Sequence, residues 1–146
     1  MKAITLHQPW ATLVALGLKR IETRSWRTTY RGPLLIHAAK GLPPYAADAC
    51  LHNPHIRRAL IEQNVLFSGL PRGVFVARCV VSGYVPTQEI KVILSEQEIA
   101  FGNYTSGRYA WQLEQIEAFS TPVPARGYQR LWEYDGPLPE LYKEVT

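Results

Sequence analysis

The chain has only two cysteines, Cys50 and Cys79, far apart in its 146 residues. No CxxC redox pair and no zinc knuckle are therefore available. Cys79 sits in the apolar run Val74-Phe75-Val76-Ala77-Arg78-Cys79-Val80-Val81 and reads as a small core residue; no activating base is identifiable for it. Both cysteines are expected as free thiols in a reducing compartment. The sequence also lacks an apolar run of the ~20 residues needed to span a bilayer, and Met1-Lys2-Ala3-Ile4-Thr5-Leu6-His7 lacks the apolar core of a signal peptide. A cytoplasmic protein with no membrane association is expected. There is no internal repeat, low-complexity tract or linker. The four histidines are His7, His37, His52 and His55. They form no metal motif: His52-x-x-His55 straddles Pro54 and has no third ligand. No metal and no cofactor are predicted.

What remains is ordinary globular composition, 47% apolar and 19% charged, in the size range of one hydrophobic core. We expect one domain over residues 1–146. The net charge of +4 is compatible with a nucleic-acid partner without demanding one. Its distribution is more telling. Basic residues gather at Lys19, Arg20, Arg24, Arg27 and Arg31, at Arg57 and Arg58, and at Arg126 and Arg130. Trp26 and Tyr30 interleave with the first group, combining phosphate-binding charge with stacking surface. The bland alternative is a solvated basic face with two core aromatics.

The densest chemistry lies in Gly17-Leu18-Lys19-Arg20-Ile21-Glu22-Thr23-Arg24. Gln8 to Leu16 reads as a short helix with Pro9 at its first helical position and Gly17 as its left-handed terminator. Arg20 to Trp26 reads as a strand, which puts Glu22 and Arg24 on one face and Ile21 and Thr23 on the other. Were the Glu22/Arg24 face to point inward, each ion would require a partner, because an isolated buried charge costs several kcal/mol. Lys19, Glu22 and Arg24 can satisfy one another and hold a polar pocket in readiness. A solvated edge strand with alternating charges is the competing reading.

The pattern Gly17-x-Lys19-x-x-Glu22-x-Arg24 resembles the signature of ASCH domains, relatives of the RNA-binding PUA domain. His7-Gln8-Pro9-Trp10-Ala11 resembles the family's entry into its first helix, and Tyr30-Arg31-Gly32-Pro33-Leu34-Leu35-Ile36-His37-Ala38 its following strand. Gly107-Arg108-Tyr109-Ala110-Trp111 and Pro122-Val123-Pro124-Ala125-Arg126-Gly127 are similar to its closing segments. Four blocks in order, over roughly residues 3 to 134, are more specific than any one of them.

Elsewhere, Lys2 to Leu6 reads as a first strand and Gly32 to Ala38 as another. Residues 40–44 form a turn or lid. Tyr45 to Gln63 gives one or two helices broken near Asn53-Pro54, a helical insertion within 43–66. Gly73 to Val85 is a central strand buried on both faces. On it, Arg78 meets Glu22 or another acid if it points inward, and is a solubilising charge if it points outward. Short helices follow at Thr87 to Ile90 and Ser95 to Ala100, a polar loop over Gly102 to Gly107, and strands over Tyr109 to Phe119 and Gln129 to Tyr134. Pro137 and Pro139 end regular structure and leave a short tail.

Several strands, short helices and pairing of the N- and C-terminal strands fit an α+β fold, a small mixed β-barrel with flanking short helices. The ASCH resemblance implies that PUA-like architecture directly. A six-stranded barrel is filled by its own side chains, so a ligand needs a cleft between barrel and helices. We expect that cleft beside the Gly17 turn, with Tyr104 to Tyr109 joining it.

The resemblance implies a module binding RNA, a nucleotide or a modified nucleoside. In it Lys19 and Arg24 contact phosphate or base edges, Glu22 orients Arg24 or accepts from a base amine, and Trp26, Tyr30 and Tyr109 complete the site. The alternative is a hydrolase. A ribonuclease would use Lys19 against phosphate charge and Glu22 as base. The amidohydrolase branch acting on acetylated cytidine has a Thr nucleophile where this chain has Glu22. It also draws a carboxylate from a later strand, whereas Gly73 to Val85 contains no Asp or Glu. A third alternative is a protein-interaction domain in which the Lys19/Glu22/Arg24 set is structural. Oligomeric state is left open.

Overall fold

The computed structural model describes residues 1–138. Pro139 and the remainder of the expected tail lie outside the described residues. In chain order the elements are β1 (Lys2–Leu6), α1 (Trp10–Ala15), β2 (Ile21–Arg24), β3 (Gly32–Ala38), α2 (Pro44–His52), α3 (Pro54–Glu62), β4 (Val74–Pro86), α4 (Thr87–Ile90), α5 (Glu96–Ala100), β5 (Tyr109–Pro124) and β6 (Leu131–Glu133). All six strands belong to one sheet, in the order β2-β5-β4-β3-β1-β6.

The β1/β3 pair is parallel and the other ladders are antiparallel. A parallel pair needs a crossover, and here α1 and β2 lie within it. Helix α1 packs across β1, β3, β4 and β5, so the sheet curls around it. Ala11 and Val14 enter the main core with Ile4, Leu34, Ile36, Val81 and the fully buried Trp111. Strands β4 and β5 run antiparallel over their whole lengths with register shifts at Phe75/Ala77, Arg78/Val80 and Val81/Gly83. Each extra residue bends and twists the ladder, and three in succession turn a flat sheet into a half-barrel.

The N- and C-terminal strands pair as expected, with Ala3 opposite Trp132. Strands β2 and β6 are left as the two edges, and among the described residues no ladder joins them. The barrel is therefore open on one side, because β2 is only four residues long.

Helix α1 begins at Trp10, with Pro9 at its N-cap position after a cis Gln8–Pro9 bond. The cap is supplied by Gln8, fully buried, whose Oε1 accepts from the Thr12 amide at 3.0 Å and whose Nε2 donates to the Pro71 carbonyl at 2.7 Å. Gly17 has φ of 75°, the left-handed conformation that glycine adopts without cost. Strand β2 is shorter than its predicted span and β5 longer, since β5 follows β4 past its bulges to Pro124. Strand β4 is buried on both faces only over Phe75 to Ala77; beyond that burial alternates and Ser82 is exposed. Arg78 points outward and pairs with Glu117 at 3.4 Å, not with Glu22.

Helices α2 and α3 meet at Asn53-Pro54 as the sequence predicts. Asn53 Oδ1 accepts from the Ile56 amide at 3.2 Å, and its Nδ2 donates to the Ala100 carbonyl at 3.0 Å. One side chain thus caps α3 and ties it to the end of α5. Beneath lies a second core of Leu13, Cys50, Ile56, Leu60, Leu70 and Phe101. It holds the helical pair against the barrel.

A candidate nucleic-acid cleft

On the open side of the half-barrel is a cleft of about 1650 Å³. Its walls are Thr5 to His7 at the end of β1, Glu22 to Trp26 on and after β2, Tyr45 of α2, Gly102 and Asn103, Arg108, and the segment Pro124 to Arg130. Six cationic side chains line it, Arg24, Lys40, Arg72, Arg108, Arg126 and Arg130, against one carboxylate, Glu22. The whole chain carries a net charge of only +4, so folding concentrates positive potential in one concavity, which focuses the field on an anionic ligand.

Most of these cations are held in place. Arg24 Nη2 pairs with Glu22 Oε2 at 3.0 Å and donates to the Thr5 carbonyl at 3.1 Å. Arg108 donates from Nη2 to the Thr23 carbonyl and from Nε to the Asn103 carbonyl, both at 3.2 Å. Arg72 Nη1 donates to the Lys40 carbonyl at 3.0 Å. Arg130 lies 4.3 Å over the Trp26 ring, and Arg126 5.3 Å over Tyr128. Cations fixed before a ligand arrives spare the entropy of ordering them.

Lys19 stands behind this wall. It is fully buried, donates to the Ile21 carbonyl, and lies 3.5 Å from Glu22 Oε1. Glu22 is thus gripped by Lys19 on one side and Arg24 on the other. Glu98 Oε1 accepts from the Arg20 amide at 2.8 Å. Burial raises the Glu98 carboxyl above its ordinary 4.5, opposed by that amide and by the charges of Lys19 and Arg20. Tyr104 is raised too, by burial first and then by the Glu98 and Glu22 carboxylates. Glu98 Oε2 and the Tyr104 hydroxyl are buried without hydrogen-bond partners among the described residues.

The floor is a second polar chain. His37 Nε2 lies 2.7 Å from the Ala125 carbonyl, which can only accept, so this nitrogen carries the proton. Nδ1 then accepts from the Thr5 hydroxyl at 3.2 Å, and that oxygen in turn accepts from Trp132 Nε1 at 3.1 Å. Burial holds the imidazole below its ordinary 6.5, against the pull of the carbonyl. Gly127 seals the arrangement: a Cβ there would lie 2.8 Å from His37 and from Thr5 Oγ1.

Of the residues singled out in the sequence, Glu22, Arg24 and Trp26 line the cleft; Lys19, Tyr30 and Tyr109 do not. Tyr30 donates to the Pro33 carbonyl, and its ring feels Lys2 and Glu133 at the start of β1 and in β6. Tyr109 lies opposite Arg24 in the β2/β5 ladder, with Arg27 5.7 Å over its ring. The position differs from that expected beside Gly17: Gly17 does not line this cleft and borders a separate, smaller concavity with Arg20 and Leu113 to Ile116. The turn places Lys19 behind β2, and the strand carries the motif away from the turn to its far end. The basic cluster splits, with Arg31 stacked on Tyr84 at 4.3 Å and Arg57 and Arg58 exposed on α3. Sequence reading missed Lys40, Arg72, Tyr45 and Tyr128, which only the fold gathers; of the segment Tyr104 to Tyr109 expected to join the cleft, Arg108 lines it. Arg126 and Arg130, legible as a basic pair, join them.

Among the described residues no group of three or more His, Cys, Asp or Glu is arranged to hold a metal ion, and no helix is long and apolar enough to cross a membrane.

Comparison with known proteins agrees with the geometry. Activating signal cointegrator 1 of Mus musculus is 54% identical over 41 residues, a match covering 28% of this chain and 7% of that protein. Its Homo sapiens counterpart is 50% identical over 40 residues, covering 27% and 7%. The matches thus span a small part of those relatives' length. Crystal structures of two mutants of ZmASCH from Zymomonas mobilis share the fold. One has a TM-score of 0.55 at 14% identity over 92% of this chain and 87% of that one; the other has 0.52 at 14%, over 92% and 89%. The ASCH domain family model matches residues 4–123, and with the PUA-like half-barrel just described, the chain belongs to the ASCH domain family.

Proposed function

We propose that this ASCH domain binds single-stranded RNA along the cleft on the open side of its half-barrel. The observation carrying this reading is the charge of the cleft, six cations to one carboxylate, because phosphate contacts dominate nucleic-acid affinity. Its volume of about 1650 Å³ exceeds the ~300–1,000 Å³ of small-molecule pockets, which favours a polymer over a free nucleoside.

On this reading Arg24, Arg108, Arg126 and Arg130 contact phosphate. Glu22 is the orienting group that fixes Arg24, and Lys19 is a positioning residue acting through Glu22. The ASCH resemblance to RNA-binding PUA domains points the same way. Lys19 is sealed and already committed to Ile21 and Glu22, which supports binding over a cleavage step needing its ammonium at the substrate. The helical pair α2–α3, within the 43–66 segment, is an addition to the family core that brings Tyr45 and Asn53 to the cleft.

The test is a titration with labelled single-stranded RNA at several salt concentrations, followed by inspection of the RNA for breakage. Tight binding with a log–log slope of about −2 to −3, as ~3–4 phosphate contacts give on a single strand, and intact RNA are expected. Absence of binding at low salt overturns the reading; broken RNA moves it to a nuclease.

A further inference from the structure

The aromatic rings of the cleft differ in how far they are already used. Trp26 has Arg130 over its ring at 4.3 Å and Trp111 edge-on at 5.0 Å. Tyr128 has Arg126 at 5.3 Å and Trp132 at 5.5 Å. Tyr45, in the first turn of α2, is 58% exposed, and no described cation lies over it. Its ring neighbours are His7, perpendicular at 5.9 Å, and Trp10, tilted at 6.0 Å. These two restrict the ring's position without enclosing it.

Positive charge stands at the same corner. Strands β1 and β3 run parallel and end together, with the Ala39 amide donating to the Leu6 carbonyl at 2.8 Å. His7 follows β1 and Lys40 follows β3. Arg72 is tied to the Lys40 carbonyl at 3.0 Å, and the neighbouring Pro71 carbonyl to Gln8 at 2.7 Å. A crevice outside the carboxyl ends of parallel strands is a recurrent ligand position. Lys40, Tyr45 and Arg72 all line the cleft, which thus offers an exposed ring and two cations, one surface for a base and one for a phosphate.

We propose that Tyr45, backed by His7 and Trp10 and flanked by Lys40 and Arg72, is a nucleotide subsite that stacks an unpaired base of the bound strand. This rests on the RNA-binding reading above and deepens it: the ligand must present an extruded base at this corner. A paired base within a duplex cannot insert its face against Tyr45, so the subsite selects single strands.

The experiment measures binding of three labelled ligands, an oligouridylate, an abasic oligomer of the same length, and an RNA duplex. The proteins are the wild type, Tyr45→Ala and Tyr45→Phe, with folding checked by melting curves. Tyr45→Ala is expected to weaken oligouridylate binding about tenfold, the scale of one lost base–aromatic stack. It leaves the abasic oligomer unchanged, and Tyr45→Phe retains wild-type affinity. Wild type prefers oligouridylate to both other ligands. Salt-dependent binding of oligouridylate that Tyr45→Ala does not alter, or equal losses on the base-bearing and abasic strands, overturns the subsite and leaves the RNA-binding reading standing. Failure of wild type to bind any of the three at low salt overturns both.

Discussion

Arg24 on β2 reaches Thr5 on β1 across the open side of the half-barrel, its Nη2 donating to the Thr5 carbonyl at 3.1 Å. The same nitrogen holds Glu22 at 3.0 Å, and the Thr5 hydroxyl meets His37 and Trp132. Two strands that share no ladder, the edge strand β2 and β1, are therefore linked by side chains, and the linkage runs along the cleft.

Removing that link has a structural cost as well as a binding cost. Arg24→Ala leaves Glu22, whose side chain is 14% exposed, with the Lys19 ammonium and the Thr23 amide as its partners and without its nearer cation. Because Arg24 is itself 25% exposed, the loss falls between surface and buried pairs, about 1–3 kcal/mol by urea unfolding. If the cleft binds RNA as proposed, affinity for single-stranded RNA is expected to fall in the same variant.

Lys19→Ala is the more damaging substitution. A fully buried ammonium disappears, leaving the Ile21 carbonyl without this donor and Glu22 without one of its cations; a loss of about 3–5 kcal/mol is expected. Lys19→Met, which keeps the volume, recovers part of it. Equal unfolding midpoints for wild type and Lys19→Ala, together with lost RNA binding, would instead make Lys19 a ligand contact.

Gly127→Ala drives a methyl group to within 2.8 Å of His37 and Thr5 Oγ1. Overpacking of this kind costs about 1–3 kcal/mol. Thermal melting reads the loss, and the His37 ring resonances shift, since the floor must move to admit the methyl.

Acid acts through His37. Above the ordinary 6.5 the imidazole is neutral folded and unfolded, and contributes no pH dependence. Below it the unfolded chain takes up a proton that the buried ring refuses, so stability falls as pH drops toward the folded value. Glu98 has the opposite sign. Its carboxyl is raised above 4.5, so its contribution is full below that pH and is lost as pH rises through the folded value. Urea unfolding across this range separates the two: His37→Gln removes the fall below 6.5, and Glu98→Gln removes the opposing component.

Burial pushes the Cys79 thiol up to about 12 and raises Cys50 as well. Since the thiolate is the reactive form, neither is expected to react with a disulfide reagent at neutral pH until the protein unfolds. Labelling followed by mass spectrometry checks this; rapid native labelling of Cys79 would place it outside the core.

Local sequence determined much of this protein. Gly17 stops α1 because its backbone alone tolerates the left-handed turn. Period-two alternation from Ile21 to Arg24 puts two charges on one face and two core residues on the other. Pro54 breaks the helical segment where it stands, and the apolar run after Gly73 can only be an interior strand. Each is a property of adjacent residues. The ASCH blocks, also local, carried the fold class.

Only the tertiary structure decided where the cleft lies and what lines it. Three register shifts in the β4/β5 ladder curl the sheet, and no residue type announces a shift of that kind. The curl and the four-residue β2 leave one side open. That opening collects Lys40, Arg72 and Arg108 from three separate connections, with Tyr45 from α2 and Tyr128 from the segment before β6. It also turns Lys19 inward, away from the cleft, and sends Tyr30 and Tyr109 to other faces. Charge at one position is written in the sequence; the convergence of six cations depends on contacts between segments far apart in the chain, which local patterns do not encode.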